Sequence, residues 1–471
     1  MTIKTSLVSL LENLFLRPLE AFFKQDVLIL CNNGNRDTLG LLLLYCHLKY
    51  RYRLKVQIRP FIFLRDFWLK LFRPTLVINI WIDCPPAVEI AQRIHRLGSI
   101  QIISPTEVVA WTGVKNFVNR YEFKEYIDGI MLAGNAMKKL LSKHRNIRPL
   151  QARVVGFPTL DWSVPPLNKL FISKKEFLHR FSIPSGKKLL FLASSFSLAD
   201  VDINHWEEKY SHWTTPKAEA IVMHRVSREM RNITVDHLSL LLDGHPDWHL
   251  VVKKHPLEKK GYYESLFGGN NRVTIVNDMD IHDLLSACDI LIHWNSTCAV
   301  QAWGFRVPTV LLNFKEAKPF LHFQGHELDD FKKGNYIANS YAELRESLEE
   351  GLRARSIPPT QFIHRRKYIS KWFYAMDGNS AKRAADVVFE CISDGQKRAI
   401  PYALQMENLT RSLPEFMKYL FFYHTFRTVK TISPLCKTLF AMLPSMYDNF
   451  SLELHKKRFE KNIASLLSIV T

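Results

Sequence analysis

Short apolar segments rich in β-branched residues alternate with helical patterns along most of this 471-residue chain. Polar turn residues bound each segment, which marks it as a buried strand rather than part of a longer helix. No tight hairpin signal joins consecutive segments, so the strands are expected to pair in parallel. The pattern therefore predicts an α/β fold in which helices cover both faces of parallel sheets. The predicted strands that carry the later argument are 27–31, 100–103, 188–193, 249–253, 290–293 and 309–312.

The alternation occurs twice, and a proline-containing segment at 161–168 separates the two sets of strands. We therefore predict an N-terminal α/β domain at 1–165 and a second α/β domain at 166–395. From about residue 401 the pattern changes to aromatic and basic helical sequence without a strand signal. The remaining segment, 396–471, is predicted to be a helical appendage.

Positive charge and aromatic side chains are both abundant in the chain. The 64 Lys and Arg exceed the 45 Asp and Glu by 64 − 45 = 19, and 12% of the residues are aromatic. An apolar fraction of 47% excludes disorder. No nucleic-acid motif accompanies the charge, so an anionic membrane surface is the favoured partner and nucleic acid is not. The candidate surfaces are 6–23 and 416–447; the alternative for 416–447 is a helical cap packed on the core.

Cysteine usage and hydropathy indicate a cytoplasmic protein. The seven Cys form no C-x-x-C pair, so neither disulfides nor structural zinc are predicted. Glu12 and Arg17 interrupt the N-terminal apolar stretch, which lacks a small-residue cleavage site, so no signal peptide is expected. No charge-free apolar window of about 18 residues predicts a membrane span.

A basic histidine motif follows the strand predicted at 249–253. Lys253 and Lys254 lead into His255 and Pro256, and ligands of doubly wound sheets bind beyond the carboxyl ends of the strands. An imidazole next to a rigid proline is suited to donate a hydrogen bond to a phosphate, with the lysines adding positive potential. The alternative is an ordinary exposed loop. A second His-Pro pair, at His245, precedes the strand, where a plain turn is expected.

A hydroxyl-rich motif follows the strand predicted at 290–293. Asn295, Ser296 and Thr297 come directly before a helix of small residues. Their hydroxyls and the free amides of the helix N-terminus suit a phosphate. The alternative is that Ser296 or Thr297 only caps the helix.

Three further features bear on catalysis and ligand binding. Glu107 follows the strand predicted at 100–103 and is a candidate general base; the alternative is an acidic residue in the first turn of a helix. Asp200 and Asp202 have D-x-D spacing but fall in a predicted loop, so a metal role is not favoured. The chain contains neither G-x-G-x-x-G nor a Walker sequence, which leaves NAD and P-loop chemistry without support.

Several motifs together resemble bacterial surface-carbohydrate biosynthesis proteins of the GT-B glycosyltransferase type. The resemblance covers roughly residues 26–315 and rests on Lys-His-Pro at 254–256, the segments 289–297 and 304–309, and 154–161. The last segment is similar to a family G-N-P-R-x-D pattern, with Phe157 and Thr159 in place of its Asn and Arg. The resemblance implies two doubly wound Rossmann-type domains facing a cleft, with the acceptor on the N-terminal side and the nucleotide on the C-terminal side.

The same resemblance, which extends to Kdo transferases and bacterial sialyltransferases, implies a function. The expected activity is metal-independent transfer of a sugar from a CMP-activated donor to a surface glycan or glycolipid, without a cofactor, at the inner face of the cytoplasmic membrane. His255, Pro256, Ser296 and Thr297 match the family's two phosphate-binding motifs. Two alternatives remain open: a CDP-polyol phosphotransferase of the teichoic-acid type, and a non-catalytic scaffold at the membrane surface.

Overall fold

The computed structural model describes most of both α/β regions. The described residues are 24–31, 38–60, 69, 74–79, 85–104, 124–142, 152–209, 216–277, 279–294, 296–317, 328–354, 356–394, 458–460 and 462–465. They fall into two compact units, one within 1–107, 118–159 and 379–471 and the other within 108–117 and 160–378. Glu107, Asn295 and the predicted surfaces 6–23 and 416–447 lie outside the described residues.

The first unit contains a six-stranded parallel sheet in the order β2-β1-β3-β4-β5-β6. Its strands are β1 (Val27–Cys31), β2 (Val56–Pro60), β3 (Leu76–Asn79), β4 (Ile100–Ile103), β5 (Gly129–Leu132) and β6 (Ala152–Val154). Its described helices of eight or more residues are Thr38–Cys46, Pro85–Arg96, Asn135–Ser142 and Ser380–Ser393. Every residue of β1 and of helix Thr38–Cys46 is buried, as expected where continuous apolar runs form the centre of a parallel sheet.

The chain returns to this first unit near its C-terminal end. Helix Ser380–Ser393 packs beside helix Thr38–Cys46, and the Phe389 ring stacks on Tyr52 with centroids 4.3 Å apart. The Arg383 Nε donates to the Val155 carbonyl at 2.8 Å. Glu460 also contacts this unit, because its carboxylate accepts a hydrogen bond from the Lys49 ammonium at 2.7 Å. The predicted domain boundaries at 165/166 and 395/396 stay predictions.

The second unit contains a second six-stranded parallel sheet, in the order β12-β11-β10-β7-β8-β9. Its strands are β7 (Lys188–Ala193), β8 (Trp248–Lys253), β9 (Val273–Ile275), β10 (Ile290–His293), β11 (Thr309–Leu312) and β12 (Tyr336–Ala338). Its described helices of six or more residues are Lys174–Arg180, Lys217–Gly244, Tyr262–Phe267, Ile281–Ala287, Cys298–Gly304, Tyr341–Arg353 and Pro359–Trp372. The order is that of the doubly wound dinucleotide-binding sheet, in which β7 and β10 flank the point where the strand order reverses.

The core of the second unit explains why its strands are readable from sequence. Leu190, Leu250 and Ile290, on three neighbouring strands, are each at most 1% exposed and belong to one apolar cluster. Gly351 lets helix Tyr341–Arg353 approach this cluster, since a Cβ there would lie 2.6 Å from Ile290 Cδ1. Ser173 and Glu176 form a capping box at the start of helix Lys174–Arg180. Within the described residues, no helix has the length and apolar character needed to cross a membrane.

Candidate phosphate-binding site

The carboxyl ends of β8, β7 and β10 lie side by side in the second unit. Ala193, which ends β7, is in register with Lys253 of β8 on one side and with His293 of β10 on the other. The three loops that follow therefore leave the sheet at the same edge and at the same level. Two of them carry the predicted histidine and hydroxyl motifs, so the sheet brings these motifs together around its switch point.

His255 lies in the loop after β8 with a defined arrangement of its ring nitrogens. Its Nδ1 accepts a hydrogen bond from the Leu257 amide at 3.2 Å, which leaves the proton of the neutral ring on Nε2. Burial, with a further contribution from the Lys254 charge, lowers the pKa of His255 to about 4. At neutral pH the half-buried ring is therefore a neutral donor whose Nε2 has no hydrogen-bond partner among the described residues.

The two lysines of the motif hold the loop in place. The Lys254 ammonium donates to the carbonyls of His255 and Glu258 at 2.9 and 2.8 Å. The Lys253 ammonium donates to the Met279 carbonyl at 2.6 Å. Both lysines belong to the predicted site, and these hydrogen bonds of their ammonium groups go to backbone carbonyls. For an anionic ligand, the two lysines therefore provide positive electrostatic potential and hold the loop in one conformation.

The loop after β10 presents Ser296 and Thr297. Ser296 Oγ accepts hydrogen bonds from the Cys298 amide and thiol at 3.4 and 3.0 Å, which leaves its own proton to be donated elsewhere. Thr297 directly precedes helix Cys298–Gly304, yet its side chain makes no capping hydrogen bond. Both residues are half-buried. The alternative raised from the sequence was capping by Ser296 or Thr297: Thr297 makes no capping hydrogen bond, whereas Ser296 Oγ accepts from the Cys298 amide at the start of the helix.

A buried polar network lies behind this loop, and sequence reasoning missed it. His293, which is 0% exposed, accepts from the Ser296 amide at 3.4 Å and contacts Asn335 Oδ1 through Nε2 at 3.2 Å. The Thr309 hydroxyl donates to the same Asn335 oxygen at 2.6 Å, and Arg365 donates to Thr309 at 3.1 Å. Burial first, and the Arg365 charge as well, lower the pKa of His293 to about 4. The network thus fixes a neutral His293 against the Ser296 amide.

The loop after β7 lies between the two predicted motifs and was not singled out from the sequence. Ser195 Oγ donates to the Trp294 carbonyl, and Phe196 stacks on Trp294 with centroids 5.5 Å apart. On the other side, the Ser194 amide donates to the Lys253 carbonyl at 3.1 Å. Inspection of the residues after every predicted strand would have found Ser194 and Ser195, because they directly follow the strand predicted at 188–193.

Both carboxylates of the D-x-D pair contact other side chains of the protein. The Asp200 carboxylate pairs with the Arg231 guanidinium, and Asp202 contacts His205 Nδ1 at 2.8 Å. Asp200 also accepts from the Lys259 amide at 2.7 Å. Within the part of the chain that the structure describes, no group of three or more His, Cys, Asp or Glu is arranged to hold a metal ion.

The arrangement as a whole offers hydrogen-bond donors to an anion. His255 Nε2 and the hydroxyls of Ser296 and Thr297 come from loops at one edge of the sheet, and two lysine charges lie in the adjoining segment. Neutral donors held by a rigid scaffold stabilise a phosphate and any negative charge that develops on it. Pro256 is exposed in the loop after β8, whereas Glu107 and Asn295 lie outside the described residues.

No family model matches the chain, and no curated protein sequence matches it. Solved structures resemble it in fold. A UDP-N-acetylglucosamine 2-epimerase has 10% sequence identity and a TM-score of 0.51, covering 80% of this chain and 98% of its own. S. aureus MnaA in a co-structure with UDP has 11% identity and a TM-score of 0.52, covering 80% of this chain and 100% of its own.

The wall teichoic acid polymerase TagF is similar to the chain at the same level. It has 12% identity and a TM-score of 0.51, and the match covers 80% of this chain and 92% of that one. Together with the two parallel six-stranded sheets, these likenesses confirm the predicted fold class, in which two doubly wound α/β units form a chain of the GT-B type.

Proposed function

We propose that the chain is a glycosyltransferase that takes a sugar from a cytidine-nucleotide donor, a CMP-sugar, for a bacterial surface polysaccharide. The observation that carries this proposal is the register of β8, β7 and β10, because the loops that carry His255, Ser296 and Thr297 leave the second sheet at the same edge. The choice of a cytidine nucleotide and of a sugar as the transferred group rests on the resemblance of the motifs to the glycosyltransferase family. The likeness to MnaA, which was solved with UDP, and to a wall teichoic acid polymerase supports a nucleotide-dependent enzyme of bacterial surface carbohydrate.

In the proposed reaction the acceptor hydroxyl attacks the anomeric carbon as the bond from that carbon to the phosphate oxygen breaks. The electron pair of that bond leaves with the nucleotide phosphate, where negative charge increases. His255 Nε2–H and the hydroxyls of Ser296 and Thr297 donate to this charge, and the nearby lysines add positive potential. The acceptor proton passes to a general base, for which Glu107 is our candidate.

The acceptor side of the proposal rests on the sequence. A glycan or glycolipid acceptor at the inner face of the cytoplasmic membrane accounts for the net charge of +19 and for the aromatic and basic residues of 416–447. A matched set of liposomes tests this part. Binding to vesicles that contain anionic lipid, together with no binding to neutral vesicles, is the expected result.

Replacement of His255 tests the donor assignment. His255→Ala removes one donor to the leaving group and is expected to lower kcat by about 100-fold or more, at the scale seen for a lost oxyanion donor. His245→Ala is the matched control, because it removes the His-Pro imidazole that precedes β8 instead of following it. The measurement is CMP release from a panel of CMP-sugars. Unchanged turnover and unchanged CMP affinity in His255→Ala would show that the assignment is wrong.

The teichoic-acid polymerase likeness favours one second candidate, a CDP-polyol phosphotransferase. The same donor panel separates the two, since CMP release from CDP-glycerol with no release from CMP-sugars identifies the phosphotransferase. Absence of nucleotide binding by calorimetry, with liposome binding intact, identifies the non-catalytic scaffold.

A further inference from the structure

Glu258 lies three residues after His255 and is buried, with 3% of its surface exposed. Its carboxylate reaches across to the loop after β7, where it accepts from the Ser194 hydroxyl and from the Phe196 amide at 3.0 Å. It also accepts from the Tyr263 hydroxyl at 2.8 Å, and that hydroxyl lies 2.8 Å from Ser194 Oγ. A buried carboxylate with three donors is fixed in position, because each lost donor leaves desolvated negative charge unpaired.

The backbone of Glu258 is hydrogen-bonded to His255. The Glu258 amide donates to the His255 carbonyl at 3.0 Å. The Lys254 ammonium donates to the carbonyls of both His255 and Glu258. A shift of the Glu258 carboxylate therefore moves the turn that aligns the Leu257 amide with His255 Nδ1, and with it the direction of Nε2–H.

The loop after β7 carries this restraint onward to the hydroxyl motif. Ser195 and Phe196 contact Trp294, which directly follows β10. On the other side, Asp200 accepts from the Lys259 amide, so the loops after β7 and β8 are tied together at two carboxylates. One chain of contacts thus runs from the His255 loop through Glu258 and Ser194 to the residue before the Ser296 loop.

We infer that Glu258, whose carboxylate is held by Ser194 and Tyr263, is a positioning residue that sets His255 against the phosphate of the bound nucleotide. This inference rests on the proposed function, since it assumes that His255 receives a phosphate. Glu258 touches no ligand in this view, because its carboxylate is enclosed by protein donors. Its role is to keep the imidazole donor and the β10 loop in one geometry.

The test compares the affinities of the full chain for CMP and for cytidine by calorimetry. The ratio used is the cytidine Kd divided by the CMP Kd, and it isolates the contribution of the phosphate to affinity. Glu258→Gln keeps the side-chain size but replaces one acceptor oxygen with a donor, and it is expected to lower this ratio about tenfold while leaving the cytidine Kd unchanged. Ser194→Ala, a smaller change, is expected to lower the ratio in the same direction. Glu264→Gln, on the neighbouring helix, is the matched control and should keep the wild-type ratio.

A double-mutant cycle with His255→Ala distinguishes positioning from general destabilisation. If Glu258 acts through His255, Glu258→Gln has little further effect on the ratio in the His255→Ala background. A wild-type ratio near one would overturn the proposed function together with this inference. A clear wild-type preference for CMP that both Glu258→Gln and Ser194→Ala retain, even with a lowered Tm, would overturn the inference alone.

Discussion

The buried histidine behind the hydroxyl loop gives the second unit a defined dependence of stability on pH. Burial lowers the pKa of His293 from 6.5 to about 4, so the native state holds the ring neutral where the unfolded chain already binds a proton. The contribution of the neutral ring to the free energy of unfolding is present above pH 6.5 and is lost as the pH falls from 6.5 towards 4. With these two pKa values, linkage gives a loss of about 2 kcal/mol between pH 7 and pH 5.

His293→Gln removes the titrating group while keeping a donor and an acceptor. The Gln side chain can accept from the Ser296 amide and donate to Asn335, as the ring does. We expect the free energy of unfolding to fall by about 2 kcal/mol less for the variant than for wild type between pH 7 and pH 5.

The assay is urea unfolding followed by tryptophan fluorescence. The buried Trp248, Trp294 and Trp303 report on the second unit. Between pH 7.5 and 8.5 the imidazole is neutral in both states, so the two proteins should show parallel stability there, which serves as the internal control. Equal losses for wild type and variant between pH 7 and pH 5 would refute a buried, neutral His293.

Two further variants test a ligand contact and a backbone constraint. Thr297→Val keeps the shape of the side chain and removes its hydroxyl. Measured by calorimetry, the variant should bind CMP about tenfold more weakly and bind cytidine with unchanged affinity. Equal effects on both ligands would argue against a phosphate contact. Gly156 has a φ of +91°, and a Cβ there would collide with the Ser380 hydroxyl. Gly156→Ala should therefore lower the stability of the first unit by about 1–3 kcal/mol in urea unfolding, and an unchanged midpoint would contradict that constraint.

The strands were predictable where burial is complete on both faces. β1, β4, β7, β10 and β11 begin and end where the sequence places them, because a central parallel strand reads as an uninterrupted apolar run bounded by polar turns. β12 was missed because it has three residues and lies at the edge of its sheet, so its sequence carries too few apolar residues to stand out. The candidates His255, Ser296 and Thr297 were predicted from their positions after β8 and β10, and their role stays a prediction.

The tertiary structure alone decided which of these loops meet. The order β10-β7-β8 places Ser194 and Ser195 between two motifs that are some forty residues apart in the chain. It also buries Glu258 and His293, whose hydrogen-bond partners come from distant strands and helices. The sequence by itself determined the α/β class and the chemical character of the loops, because periodicity and composition are local. The tertiary structure decided which loops lie at one edge of the sheet and which polar groups pair with each other, because hydrogen-bond pairing depends on three-dimensional proximity.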